Sequence, residues 1–325
     1  MASLRAHIFD CMVRWQVKPK LARHMDDVAA VRRIFDQTGF PDPPGIAFRP
    51  GRVGGVAGEW AERAGLPAAA PRLLYLHGGG FVGCSARTHR PLIGGLARHG
   101  LRIFAPDYRL APEHPFPAAL DDAAAAWDAF AAQGPAGLAG DSAGGNLALA
   151  LMLRARRDGA ALPGAAALFS PATDMAGTGA SMRENARRDA MFDPSGMHHM
   201  VQAYVAGHDP ADPLVSPLLG DLAGLPPLLL HVGAREVLRD DSVRLAEKAR
   251  AAGVAVSLTV WPVVPHVWQF AGSFLPEARR SLAEAAAFLK QHVPAAAAPE
   301  PAADPASAGG PTEAGHPASA GPETV

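Results

Sequence analysis

Cysteine is nearly missing from this chain: Cys11 and Cys84 are the only two among 325 residues. A pair so unevenly placed builds no disulfide framework and fits no metal-ligand spacing, so a reducing, cytoplasmic setting is expected. Cys84 itself reads as a small, buried apolar residue. Long apolar runs are missing too. From Met1 to Lys20 the apolar residues are interrupted by Arg5, Arg14 and Lys18, which denies the segment the apolar core of a signal peptide, and no later stretch approaches a membrane span. Charge is balanced, with 30 Lys and Arg against 31 Asp and Glu. No global field therefore draws the molecule toward nucleic acid or anionic lipid, and the expected partner is a small apolar molecule. The adjacent His198 and His199 lack an acidic or cysteine cluster, and consecutive helical side chains diverge by about 100°. No metal and no cofactor are expected.

What the chain does have is apolar content, 49% of its residues, arranged in a repeating pattern. Short apolar runs that end in turn residues predict buried strands at 73–76, 103–105, 165–169, 228–232 and 256–260, and helical patterns lie between them at roughly 91–99, 118–132, 146–157, 242–252 and 277–291. Such alternation predicts an α/β fold with a mostly parallel sheet flanked by helices. A further short strand is placed at 136–139, although it contains Gly137 and no β-branched residue, because the motif after it demands one. Leu21, Met25, Val28, Val31, Ile34 and Phe35 fall on one face of a single amphipathic helix. The methionine-rich stretch 176–207, with Met182, Met191, Met197 and Met200, suits a lid over an apolar substrate. Residues 1–48 are thus assigned to N-terminal cap helices and 49–294 to a catalytic domain carrying the cap insertion. The segment 295–325, rich in Ala, Pro, Gly, Glu and Ser, is too poor in large apolar residues to fold and is expected to be a disordered tail.

The chemistry concentrates in Gly140-Asp141-Ser142-Ala143-Gly144, the spacing of a serine held on a sharp strand-to-helix turn. Ser142 is the expected nucleophile. Upstream, three glycines after His77 allow a loop backbone to lie flat against a bound ester, so that amide N–H groups face a developing oxyanion. His77 precedes that loop and is read as orienting it. Downstream, His266 follows the last strand and is the expected base, since imidazole takes and returns a proton near neutrality. Glu236, Asp240 and Asp241 all follow the strand 228–232. Glu236, nearest the strand end, is assigned as the orienting acid with Asp240 as alternative, because Asp240 and Asp241 also fit the cap of the next helix. The order serine, acid, histidine is that of α/β-hydrolases, and the strand–helix alternation excludes the all-β proteases whose Gly-Asp-Ser motif looks similar.

Taken together, His77-Gly78-Gly79-Gly80-Phe81, the block from Asp107 through Tyr108, Arg109, Leu110, Ala111, Pro112, Glu113, His114, Pro115, Phe116 and Pro117 to Ala118, and Gly140-Asp141-Ser142-Ala143-Gly144-Gly145-Asn146 closely resemble the hormone-sensitive lipase family of α/β-hydrolases. The resemblance runs from about Gly54 to Val293 and leaves the tail without a counterpart. It implies an α/β-hydrolase fold with a helical cap and an oxyanion hole made by the N–H groups of Gly79, Gly80 and Ala143. Many members carry Asp-Pro-Leu where this chain has Glu236-Val237-Leu238, a departure that bears on which carboxylate serves as the acid. The implied activity is hydrolysis of short- to medium-chain acyl esters. Deacetylation or lactone hydrolysis by the same residues is the alternative, and a small-molecule receptor, as in the related plant gibberellin receptors, is the reading from another class. Cap helices and a sheet edge leave room for a homodimer.

Overall fold

The computed structural model describes residues 2–36 and 40–295. Its centre is an eight-stranded sheet formed by β1 (Ile46–Val53), β2 (Val56–Arg63), β3 (Arg72–Leu76), β4 (Arg102–Pro106), β5 (Ala136–Asp141), β6 (Ala166–Phe169), β7 (Leu228–Gly233) and β8 (Val256–Trp261). The strands lie in the order β1-β2-β4-β3-β5-β6-β7-β8. All pairings from β4 to β8 are parallel, and only the β1–β2 and β2–β4 pairings run antiparallel. The hairpin β1–β2 went unread in the sequence because Pro50 and Gly51 interrupt its first strand, and both residues argue against a strand on local grounds.

Side chains alternate across the sheet, so its two faces collect separate cores. Leu74 and Leu76 of β3 enter one, with residues of α5 (Ala118–Ala131), α6 (Ala143–Asp158) and α9 (Arg239–Ala251). Leu73 and Tyr75 enter the other, with residues of α4 (Arg90–Ala97) and α10 (Pro276–His292). The poor β-propensity of β5 also has its cause here. A Cβ on Gly137 would stand 3.1 Å from both Leu289 and Val293 and 3.2 Å from Leu73, so the strand is small because neighbours on that face leave no room.

Three helices precede the sheet: α1 (Leu4–Gln16), α2 (Lys18–His24) and α3 (Val28–Asp36). The single amphipathic helix expected at 21–35 is therefore two, broken at Met25–Asp27, where the Asp27 carboxylate accepts the Ala30 amide at 3.0 Å and starts the second. Apolar spacing survived the break, which is why periodicity alone missed it. The methionine-rich stretch holds α7 (Ser181–Glu184) and α8 (Pro194–Val205). The tail expected at 295–325 lies outside the described residues from position 296 onward. Among the described residues, no helix is long and apolar enough to cross a membrane.

Candidate active site

His77 follows β3, Ser142 follows β5, Glu236 follows β7 and His266 follows β8, so the carboxyl ends of four parallel strands deliver all four to one edge of the sheet. The turn at Ser142 is tight. Its φ and ψ are 53° and −120°, a backbone state that costs a non-glycine residue energy and persists only when its surroundings hold it. Those surroundings explain the flanking glycines. A Cβ on Gly144 would meet the Leu76 carbonyl at 2.0 Å and the His77 carbonyl at 2.5 Å, and one on Gly140 would meet the Gly144 carbonyl at 2.4 Å.

The loop after His77 is fixed mainly by a residue the sequence reading passed over. Asp141, buried beside the serine, accepts the Tyr75 hydroxyl at 2.7 Å and the Gly78 amide at 3.1 Å, and its Oδ1 lies 3.3 Å from His89 Nε2. Burial alone would raise this carboxyl, but the His89 ring and the Tyr75 hydroxyl outweigh it and hold Asp141 below the usual carboxylate range. Gly78 has no space for a side chain, since a Cβ there would stand 2.2 Å from Asp141 Oδ2. His77 is buried, stacked on Tyr108 at 4.2 Å, and its Nδ1 donates to the Gly78 carbonyl at 2.8 Å. Burial and the neighbouring His89 push its pKa down to about 3, so it stays neutral. Tyr108 in turn donates to the His77 carbonyl at 2.6 Å. Beyond this clamp the backbone turns at Gly79 and Gly80, with φ of 115° and 62°. No hydrogen bond from the amides of Gly79, Gly80 or Ala143 is found among the described residues, and all three residues line one pocket.

His266 and Glu236 meet. His266 Nδ1 lies 2.7 Å from Glu236 Oε2, while Glu236 Oε1 accepts the Ser170 hydroxyl at 2.8 Å and the Gly233 amide at 2.6 Å. Burial would lower the imidazole pKa, but the Glu236 hydrogen bond and charge, with Asp189 and Asp141 behind them, raise it above the ordinary value. The other nitrogen, Nε2, has no hydrogen-bond partner among the described residues. Asp240 stands apart from this pair: it accepts the Ser181 amide at 2.8 Å and the Arg239 guanidinium at 2.9 Å. Asp241 is buried and accepts the amides of Thr173 and Asp174 at 2.6 and 3.0 Å.

The acid loop is braced by the segment 185–192, another contribution that the sequence did not reveal. Asn185 donates to the carbonyls of Ala234 and Glu236 at 3.1 and 2.8 Å. The buried Asp189 accepts the Val237 amide at 2.8 Å and those of Met191 and Phe192 at 2.7 and 2.9 Å. Nothing in the spacing of Asn185 and Asp189 points to Glu236, which lies some fifty positions on.

Ser142 and His266 share the pocket of about 1080 Å³ with Gly79, Gly80 and Ala143. Its walls are mostly apolar, with Phe9 and Val13 from α1, Ile34 and Phe35 from α3, and Met197, Met200 and Val201 from α8. Met200 sits against the glycine loop after His77, since a Cβ on Gly80 would meet its sulfur at 2.5 Å. Cys84 lines the pocket half-buried, and burial pushes its thiol well above the ordinary range, so it is not an activated nucleophile. Among the described residues no group of three His, Cys, Asp or Glu could hold a metal ion.

A family model described as the alpha/beta hydrolase fold matches residues 73–270. An acetyl-hydrolase of Streptomyces hygroscopicus is 43% identical over 253 residues, 76% of this chain and 83% of the relative. An esterase of Acinetobacter venetianus is 39% identical over 267 residues, 80% of this chain and 88% of the relative. Among solved structures, an esterase from the bacterial hormone-sensitive lipase family superposes with a TM-score of 0.78 at 39% identity, covering 85% of this chain and 98% of the other.

Proposed function

The chain belongs to the hormone-sensitive lipase family of α/β-hydrolases and is a carboxylic ester hydrolase, and we propose that it cleaves short- to medium-chain acyl esters through an acyl-enzyme on Ser142. The observation that carries the mechanism is His266. One of its ring nitrogens is bound to a buried carboxylate, and the other is left unpartnered in a residue that lines the same pocket as the serine.

In this reading Ser142 Oγ attacks the ester carbonyl while His266 Nε2 takes its proton. Negative charge gathers on the carbonyl oxygen and is met by the amides of Gly79, Gly80 and Ala143, which have no competing partner among the described residues. The bond to the alcohol oxygen then breaks, and the imidazolium returns the proton to the leaving alkoxide. Water repeats the sequence on the acyl-enzyme and frees the acid. Glu236 keeps its charge throughout, fixing the tautomer and stabilising the imidazolium. α1–α3 and the segment 176–207 serve as the cap, closing an apolar pocket over the acyl chain. The acetyl-hydrolase relative supports the short end of the range. The free thiols of Cys11 and Cys84 are consistent with a cytoplasmic enzyme.

Ser142→Ala should lower turnover of a nitrophenyl ester by a factor on the order of 10⁶, the scale seen when a triad acts as a unit, and abolish labelling by a fluorophosphonate. Residual activity near wild type would remove Ser142 from the mechanism. A nitrophenyl ester series from acetyl to palmitoyl should peak at short to medium chains. Faster turnover of acetyl amides than of acetyl esters would instead favour deacetylation, and no labelling of the folded wild-type protein would favour a receptor.

A further inference from the structure

The large apolar side chains left exposed among the described residues are Leu4, Ile8, Met12, Trp15, Leu219 and Val260. Four of the six stand on α1, at spacings of four, four and three, which puts them on one face of the helix. Leu4 is 76% exposed and Trp15 77%. The opposite face is not spare. Ala6, Phe9, Asp10 and Val13 are buried, Phe9 packs edge-on against Phe274 at 5.3 Å, and Asp10 lies 3.4 Å from Arg235. The Ser3 hydroxyl at its start donates to Glu277 at 2.9 Å. α1 is therefore docked on the body of the molecule by one face while it presents a row of leucine, isoleucine, methionine and tryptophan to water.

Charge along the segment that carries this row is one-sided although that of the whole chain is not. Residues 2–24 hold Arg5, Arg14, Lys18, Lys20 and Arg23 against a single acid, Asp10, which is buried. Arg14 and Lys18 donate to carbonyls of the segment 186–189 and also face carboxylates, Arg14 the buried Asp10 at 3.7 Å and Lys18 the charges of Asp189 and Asp193, so the exposed cations without an ion pair among the described residues are Arg5, Lys20 and Arg23. The row also runs into the substrate pocket: Met12 belongs to both, and Gln16 and Lys20 line the pocket one and two turns further on.

We propose that α1 is an interfacial docking helix, which seats its Leu4–Ile8–Trp15 face in the surface of an anionic lipid layer with the flanking cations on the headgroups. Aromatic and aliphatic side chains on one helix face with basic neighbours have the chemistry of a helix lying in the plane of a membrane surface. Docking in this pose brings the pocket mouth to the lipid, so that apolar esters dissolved there reach Ser142 without crossing water. The binding claim does not depend on the catalytic assignments.

The test uses the full chain with vesicles of phosphatidylcholine alone and of phosphatidylcholine with one-quarter phosphatidylglycerol. Wild-type protein should sediment with the anionic vesicles, less at high salt, and its tryptophan emission should shift to the blue. Ile8→Ser/Trp15→Ser should lose sedimentation at least tenfold while turnover of soluble nitrophenyl acetate stays unchanged, since neither side chain lines the pocket. The proposal fails if wild type stays in the supernatant with both lipids, or if the double variant binds as well as wild type. It also fails if sedimentation velocity shows a dimer that the double variant dissociates, because a second copy then covers the row.

Discussion

Single residues carry the strain of the site, and Gly144 shows how. Its hydrogen occupies the only volume left between the carbonyls of Leu76 and His77, so the substitution Gly144→Ala forces the serine turn away from the strand that supports it. Overpacking of this kind costs about 1–3 kcal/mol. The expected outcome is a lowered Tm together with loss of ester turnover, measured by calorimetry and with nitrophenyl acetate. Gly134→Ala is the complementary case, because its φ of 118° is positive, so a side chain strains the backbone, while no atom lies within 4 Å of a Cβ there. It should cost stability and spare turnover. Asp141 differs from both: its carboxylate ties Tyr75, Gly78 and His89 together under the loop that follows His77.

At the scale of elements, the loop after β7 and the loop after β8 must hold Glu236 against His266, and neither does so unaided. The segment 185–192 braces the first through Asn185 and Asp189, and α1 and α2 reach that segment through Arg14 and Lys18. Asp189 also adds to the negative field that raises the His266 pKa. With His266 as the proposed base, a protonated imidazole could not accept the serine proton, so kcat/KM should fall as pH drops through that pKa, with the acid limb above about 6.5, the unperturbed imidazole value. Asp189→Asn removes one negative charge and should shift the limb to lower pH, read from pH profiles of kcat/KM. A role confined to holding the backbone would lower activity without moving the limb. The sign for stability runs the other way. Pairing with Glu236 contributes fully below the ordinary imidazole pKa and is lost as pH rises through the raised one.

For the whole molecule, the buried Asp241 sets a pH dependence away from the chemistry. Burial pushes its pKa up to about 7, against the two amides it accepts. A carboxyl with its folded pKa above the unfolded one favours folding at low pH, and the advantage disappears as pH rises from about 4 through 7. Asp241→Asn keeps an acceptor for both amides and cannot ionise. Its Tm should match or trail wild type near pH 4 and exceed it at pH 8. A difference in Tm that is the same at both pH values would remove Asp241 from this role. The molecule as a whole also joins its parts in one direction: α1 touches the segment 185–192, that segment touches the loop after β7, and all three border one pocket.

The sequence by itself determined the alternation of strands and helices, the serine turn, the glycine loop and the order of serine, acid and histidine. These are local matters, since a 2- or 3.6-residue period or a required glycine is written in neighbouring positions. The sequence favoured Glu236 but kept Asp240 as an alternative, because a carboxylate on a loop points nowhere until the loop is packed. Only the tertiary structure turned Glu236 onto His266 and Asp240 onto Ser181 and Arg239. It alone decided that α2 and α3 are separate helices, that β1 and β2 extend the sheet, and that Asp141, Asn185 and Asp189 hold the loops. Each of those outcomes depends on contacts between residues far apart in the chain, and such contacts are formed by packing, which no local pattern encodes.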